Sequence, residues 1–129
     1  NRLQDYALEL LSGKDMGYTI EVDQGVDDLV KDPFLRKNIL LIIKEAINNS
    51  AKYSQASLVA IEVRRAPTHL KITIKDNGTG FDSTSPITGN GLGNMKKRCE
   101  DIGGAFVLQS TPGQGTRIEV NIPMANIRH

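Results

Sequence analysis

The sequence is short of cysteine, of net charge and of long apolar runs, and each shortage removes a class of protein. A single cysteine, Cys99, excludes an internal disulfide and a zinc site built on cysteines. It suits a reducing compartment and reads as a packing residue. A formal net charge of +1 on 129 residues produces no large field. Neither nucleic acid nor an anionic membrane surface is therefore implied as a partner, and an anionic ligand must be gripped locally. The longest apolar stretch, Ile39-Leu40-Leu41-Ile42-Ile43, is far too short to span a bilayer, and no charged-then-apolar signal segment opens the chain. The first residue is Asn1 rather than Met, so the chain is expected to be a fragment whose missing neighbours could include a membrane anchor or sensor.

What is present suits one ordinary domain over residues 1–129. Apolar residues at 39% and charged residues at 24% match an average soluble globular protein, whereas 12 glycines exceed what such a chain needs. Leu3, Ala7, Leu8, Leu10 and Leu11 recur at helical spacing over residues 1–11, Ser12-Gly13-Lys14-Asp15 interrupts, and residues 18–22 read as a strand. Residues 27–31 look polar and irregular. Asp32-Pro33 then supplies an N-cap and a proline at the first helical position, which predicts a long helix to about Ser50. Residues 58–63 and 70–75 form an expected hairpin with one wet face, Lys71, Thr73 and Lys75 opposing Leu70, Ile72 and Ile74. A helix over 92–102 ends at Gly103-Gly104, and a second hairpin, 105–109 with 116–122, turns at Thr111-Pro112-Gly113-Gln114-Gly115. Residues 124–129 read as a frayed tail. Helices mixed with hairpins predict an α+β fold, a two-layer sandwich whose helices cover one face of a mostly antiparallel sheet.

Three segments could carry chemistry. Glu45, Asn49 and Lys52 lie at i, i+4 and i+7 on the long helix, so a carboxylate, an amide and an ammonium share one face. Oxygen donors suit magnesium and a lysine suits phosphate, although a solvated helix end would look the same. Asp76-Asn77-Gly78-Thr79-Gly80 puts a carboxylate at the end of a strand with flexible backbone beyond it. Such a carboxylate can accept from an exocyclic amine such as that of adenine; the plain alternative is a turn. Gly89-Asn90-Gly91-Leu92-Gly93-Asn94-Met95 opens a helix, where free N–H groups and the positive dipole end favour phosphate. Its spacing and surroundings are not those of a dinucleotide-binding fingerprint. Between Phe81 and Gly89, the small polar run Asp82-Ser83-Thr84-Ser85-Pro86-Ile87-Thr88 has the composition of a lid, or of plain disorder.

In this order the segments resemble the superfamily of gyrase, heat-shock chaperone, histidine kinase and mismatch-repair ATPases, over nearly the whole chain. Glu45-Ala46-Ile47-Asn48-Asn49-Ser50-Ala51-Lys52-Tyr53 looks like its N box, Asp76 to Gly80 its G1 box, Gly89 to Met95 its G2 box, and Gly113-Gln114-Gly115-Thr116 its late Gly-x-Gly-Thr. The Glu-Ala-x-x-Asn form, the short lid and Gly-x-Gly-Leu-x-Asn-Met before Lys96-Lys97-Arg98 most resemble histidine kinases related to nitrate and lipid-fluidity sensors. Tyr53 stands where that subgroup often has histidine, and Ser50 replaces a common alanine.

The resemblance implies a Bergerat-type ATP-binding fold that uses ATP and Mg2+. By it, Asn49 binds the metal, Lys52 reaches a phosphate, Asp76 reads the adenine amine and Thr116 supports Asp76. Gly78, Gly80, Gly89, Gly91 and Gly93, with Leu92 and Asn94, shape the nucleotide and lid site. Glu45 takes a positioning role, general base being the sharper alternative. The implied reaction is phosphoryl transfer to a histidine on a separate dimerisation and phosphoacceptor domain, ahead of a response regulator. That gives a cytoplasmic catalytic domain with no direct membrane contact. His69, in an expected hairpin loop, and His129, in the tail, are poor acceptors. A serine kinase of the anti-sigma type and a non-catalytic nucleotide-binding docking module are the rivals; the N-box form opposes the first, and intact Asn49, Lys52 and Asp76 oppose the second.

Overall fold

Asp32 does at the start of the long helix what its position predicts: its Oδ2 accepts the Leu35 N–H at 2.9 Å, and Pro33 fills the first helical position. Such a cap is worth about 1 kcal/mol. The computed structural model describes residues 3–52, 56–79 and 91–127, apart from the side chains of 51, 52, 91 and 92. Its elements are α1 (Leu3–Ser12), β1 (Gly17–Val22), α2 (Val26–Leu29), α3 (Pro33–Lys52), β2 (Leu58–Arg65), β3 (His69–Asp76), α4 (Gly91–Asp101), β4 (Ala105–Ser110) and β5 (Thr116–Pro123).

The five strands form one sheet in the order β1-β2-β3-β5-β4, with β1 and β2 parallel and the other neighbours antiparallel. The parallel pair follows from the crossover through α2 and α3, since parallel neighbours cannot be joined by a tight turn. Strand parity then decides which side chains meet the helices. Val59, Ile61 and Val63 of β2, Leu70, Ile72 and Ile74 of β3, and Ile118, Val120 and Ile122 of β5 are all buried. They form one core with Leu3, Ala7 and Leu11 of α1, Ile39, Ile42, Ile43, Ala46 and Ile47 of α3, and Met95 and Cys99 of α4. The structure is thus the two-layer α+β sandwich expected. Burial on α3 concentrates on one face; Leu40 and Leu41 are only half-buried and border a groove with Tyr6.

The other face of the sheet carries charge. Lys71 meets Glu119 at 3.3 Å, Arg117 meets the same carboxylate at 3.2 Å, and Arg64 contacts Glu21, Asp23 and Glu62. Exposed pairs of this kind contribute little each. Thr73 nevertheless departs from the expected wet face: it is buried, lying in register between Glu62 and Glu119. Long neighbouring side chains lay their apolar stems over a short one.

Two expectations need correcting. Residues 26–29 form a short helix instead of an irregular run, because Val26 and Val30 are pulled fully into the core. Past β5 the chain does not leave the fold as a frayed tail: Met124–Asn126 make a 3-10 turn, Met124 is buried, and Asn126 Nδ2 donates to the Gly103 carbonyl at 3.2 Å. An apolar Met and an amide with a partner hold this segment. Residues 128 and 129 lie outside the described set. Among the described residues, no helix is long and apolar enough to cross a membrane.

Cys99 is fully buried on α4, and burial pushes its thiol up to about 11. The thiol is therefore protonated and unreactive near neutrality. A disulfide reagent at pH 7.5 is expected to leave the folded protein unlabelled over minutes and to label one thiol promptly in denaturant; fast native labelling would show that α4 opens.

Candidate functional site around a buried carboxylate

β3 alternates inward at Leu70, Ile72 and Ile74, and the same parity brings its last residue, Asp76, under the helices. A carboxylate only 7% exposed needs hydrogen-bond donors around it. Three are present. The main-chain N–H groups of Gly78 and Thr116 donate to Oδ1 at 2.9 and 3.2 Å, and the Ser50 hydroxyl donates to Oδ2 at 2.7 Å. An ionised carboxylate offers about four lone-pair sites, and donors among the described residues take up three of them.

Each donor arrives by a traceable route. Thr116 is the register partner of Asp76 across β3 and β5. Its hydroxyl pairs with Ser110 Oγ at 2.9 Å, and Ser110 also donates to the Gly115 carbonyl at 3.2 Å, which fixes the mouth of the β4–β5 hairpin. Gly78 follows from the turn after β3. Asn77 ties that turn down: its Oδ1 accepts the N–H groups of Ser57 and Leu58 at 3.0 and 2.9 Å, and its Nδ2 donates to Ser57 Oγ at 2.9 Å. The Gly113 N–H reaches the Thr79 carbonyl at 2.5 Å, joining the second hairpin to the same loop. A shallow cleft of about 260 Å³ opens at the ends of β3, β4 and β5, lined by Asp76, Ser110, Gly115 and Thr116 together with Lys75 and Arg117 of the charged face and, among the described residues, by none of α3 or α4.

The remaining expected residues are placed as follows. Glu45 and Asn49 sit one turn apart on α3 and are both half-buried. Lys52 ends that helix, with its side chain outside the described set. Gly91 and Leu92 begin α4, and Gly93 and Asn94 are exposed on its first turn. A β-carbon on Gly93 would meet open space. α3 and α4 pack on one another. Gly80, Gly89 and the expected lid lie outside the described residues. Among those described, no group of three or more His, Cys, Asp or Glu could hold a metal ion.

The sequence reading missed Asn77, Ser110 and the contact of Ser50. Ser50 carried a signal: a hydroxyl on the face shared by Ala46 and Ile47 is buried, and a buried hydroxyl needs a partner. Nothing in the sequence marked Asn77 as more than a turn residue.

The family model for histidine kinase-, DNA gyrase B- and HSP90-like ATPases matches residues 35–126. The chain belongs to this family. Its nucleotide-using chemistry fits a buried carboxylate held by hydrogen-bond donors. Among curated relatives, the chain is 37% identical over 84 residues to the histidine-protein kinase/phosphatase DegS of Brevibacillus brevis, covering 64% of this chain and 22% of DegS. It is 34% identical over 105 residues to the sensor protein VraS of Staphylococcus saprophyticus, covering 81% of this chain and 28% of VraS. The chain thus spans less than a third of either relative. Among solved structures, the histidine kinase domain of an Erythrobacter litoralis blue-light-activated kinase superposes with a TM-score of 0.80 at 17% identity, over 97% of this chain and 64% of that one. The catalytic domain of histidine kinase ThkA gives 0.71 at 17%, over 96% and 94%. At such identities the likeness establishes the fold.

Gly115 tests the frame. Its φ is +83°, and a β-carbon there would run into the Asp76 main chain, whereas one on Gly113, at φ +82°, would meet nothing. Gly113→Ala is expected to cost about 1 kcal/mol of left-handed strain. Gly115→Ala should cost at least twice that and weaken nucleotide binding. Denaturant unfolding of both variants checks this, and equal losses would show that the Asp76 contact is not tight.

Proposed function

We propose that this domain binds Mg-ATP and transfers the γ-phosphoryl group to a histidine on a separate pair of dimerisation helices, as part of a two-component sensor kinase. The observation that carries the proposal is the Asp76 carboxylate. Its partners among the described residues are donors, and a carboxylate offers a ligand acceptor capacity, as the 6-amino group of adenine requires. The names of the relatives, a histidine-protein kinase/phosphatase and a sensor protein, favour this branch of the family.

The phosphate end falls to α3 and α4. Magnesium prefers hard oxygen ligands and keeps several waters, so the Asn49 amide oxygen, with the Glu45 carboxylate one turn away, forms a suitable donor set. The ion, when bound, neutralises phosphate charge. The residues here act by positioning. The N–H groups of the first turn of α4, at Gly91, Leu92, Gly93 and Asn94, favour phosphate through the helix dipole, and Lys52 supplies a point charge. Phosphoryl transfer asks for little more than alignment and charge stabilisation. An imidazole acceptor needs little deprotonation, which leaves Glu45 as a positioning residue.

The acceptor must come from elsewhere. His69 opens β3 with its Nδ1 paired to Thr68 Oγ1 at 2.8 Å, at the opposite end of the strand from Asp76. Seven residue steps along the strand separate them by roughly 23 Å. The full protein would therefore carry its own phosphoacceptor helices, hand the phosphoryl group to a response regulator, and keep this domain on the cytoplasmic side, with any membrane anchor beyond these residues.

Asp76→Asn keeps a carbonyl oxygen for the Gly78 and Thr116 N–H groups but puts an NH2 donor at the Oδ2 position, where it faces the Ser50 hydroxyl and the amine of the base. Nucleotide affinity is expected to fall roughly 10- to 100-fold; unchanged affinity by calorimetry would remove the adenine assignment. Labelled ATP tests the reaction itself. Mixed with a helical hairpin carrying the cognate histidine, the domain should yield an acid-labile phosphoprotein. Acid-stable label on serine would favour a serine kinase, and binding without transfer would leave a docking module.

A further inference from the structure

Ser50 follows Asn49 on α3 and faces inward with Ala46 and Ile47, 3% exposed. A serine within a helix ordinarily bonds a carbonyl one turn back. Ser50 instead crosses to the sheet and donates to Asp76 Oδ2 at 2.7 Å. The other two donors on this carboxylate, Gly78 and Thr116, are main-chain groups that both converge on Oδ1. They hold Oδ1. Among the described residues, Ser50 is the side-chain donor on Oδ2, the other oxygen, and occupies one side of it.

We propose that Ser50 is a positioning residue for base specificity: by holding Asp76 Oδ2, it aims that oxygen's remaining lone pair at the 6-amino group of the purine. This rests on the reading of Asp76 as the amine acceptor. The same bond has a second consequence. It fastens the carboxylate that reads the base to the helix position beside Asn49, so the base end and the metal end of the nucleotide are set in a common register. A residue that merely filled space would not do this. Alanine suits a helix interior better and needs no partner, yet it would leave Oδ2 without its side-chain donor.

The test compares ATP with purine riboside triphosphate, which has the same phosphates and sugar but lacks the 6-amino group. Dissociation constants for both are measured for the wild-type chain and for Ser50→Ala. Wild type is expected to prefer ATP, and Ser50→Ala to lose roughly five- to tenfold in ATP affinity with less than twofold change for the analogue. An equal loss for both nucleotides, or no loss for either, would overturn the proposal by making Ser50 structural or silent. If wild type already binds both nucleotides equally, the reading of Asp76 itself fails, and the proposal with it. Should the alanine variant fail to fold, Ser50→Cys keeps the volume with a weaker donor and is expected to lower the ATP preference too; a preference equal to wild type would refute the assignment.

Discussion

A buried negative charge is the constraint around which this fold is arranged. Burying a carboxylate without hydrogen-bond partners is strongly unfavourable. Asp76 stays under the helices because three donors from three different parts of the chain reach it: Ser50 from α3, Gly78 from the turn after β3, and Thr116 from β5. The requirement therefore acts on tertiary structure. It demands that α3 lie over the end of β3, that β5 pair with β3 in one register, and that the loop between Asp76 and Thr79 turn sharply.

The sheet order meets these demands at once. β3 is central, with β2 on one side and β5 on the other, so both neighbours can contribute to its end. From β2 comes the clamp through Asn77, whose amide holds Ser57 and Leu58; from β5 comes Thr116, held in turn by Ser110 of the edge strand. A one-residue slip of β5 would send Ile118, Val120 and Ile122 to the charged face, so the core enforces the register that the site uses. Gly115, in left-handed backbone against Asp76, makes that close approach possible without a side chain in the way.

Much of this was legible in the residues. Alternation in β3 and β5 gave both strands and their inward faces, Asp-Pro gave the start of α3, and Gly103-Gly104 gave the end of α4. The order of the Asn49, Asp76, Gly91 and Thr116 segments pointed to the family. What could not be read were contacts between distant segments. Ser50 and Asp76 are 26 residues apart, and their bond depends on the angle at which α3 crosses β3, which no local pattern encodes. Asn77 looked like half of an Asn-Gly turn because its role is to accept two N–H groups 19 and 20 residues away. The α2 turn and the turn at Met124 were missed for a related reason: a few apolar residues among polar ones outline no period, and only the core shows that Val26, Val30 and Met124 are needed to close it.

The two ends of the proposed nucleotide site are built in different ways, and their materials suit different tasks. The Asp76 end rests on strand main chain, on short hydroxyls and on a register enforced by the core, so its geometry can vary little. A group that must distinguish an amino from an oxo substituent needs that rigidity, since a carboxylate free to turn would accept a water in place of the amine. The other end uses the side chains of Glu45 and Asn49 on a helix face and the exposed first turn of α4, where Gly93 leaves the main chain bare. Phosphates carry charge on many equivalent oxygens and tolerate rotation, so long side chains and a helix terminus serve there. A net charge of +1 is compatible with this division, because the anion is met by local groups and no general basic field is required. Recognition can then stay fixed while the phosphate end, close to where an incoming acceptor would approach, retains the freedom that transfer requires.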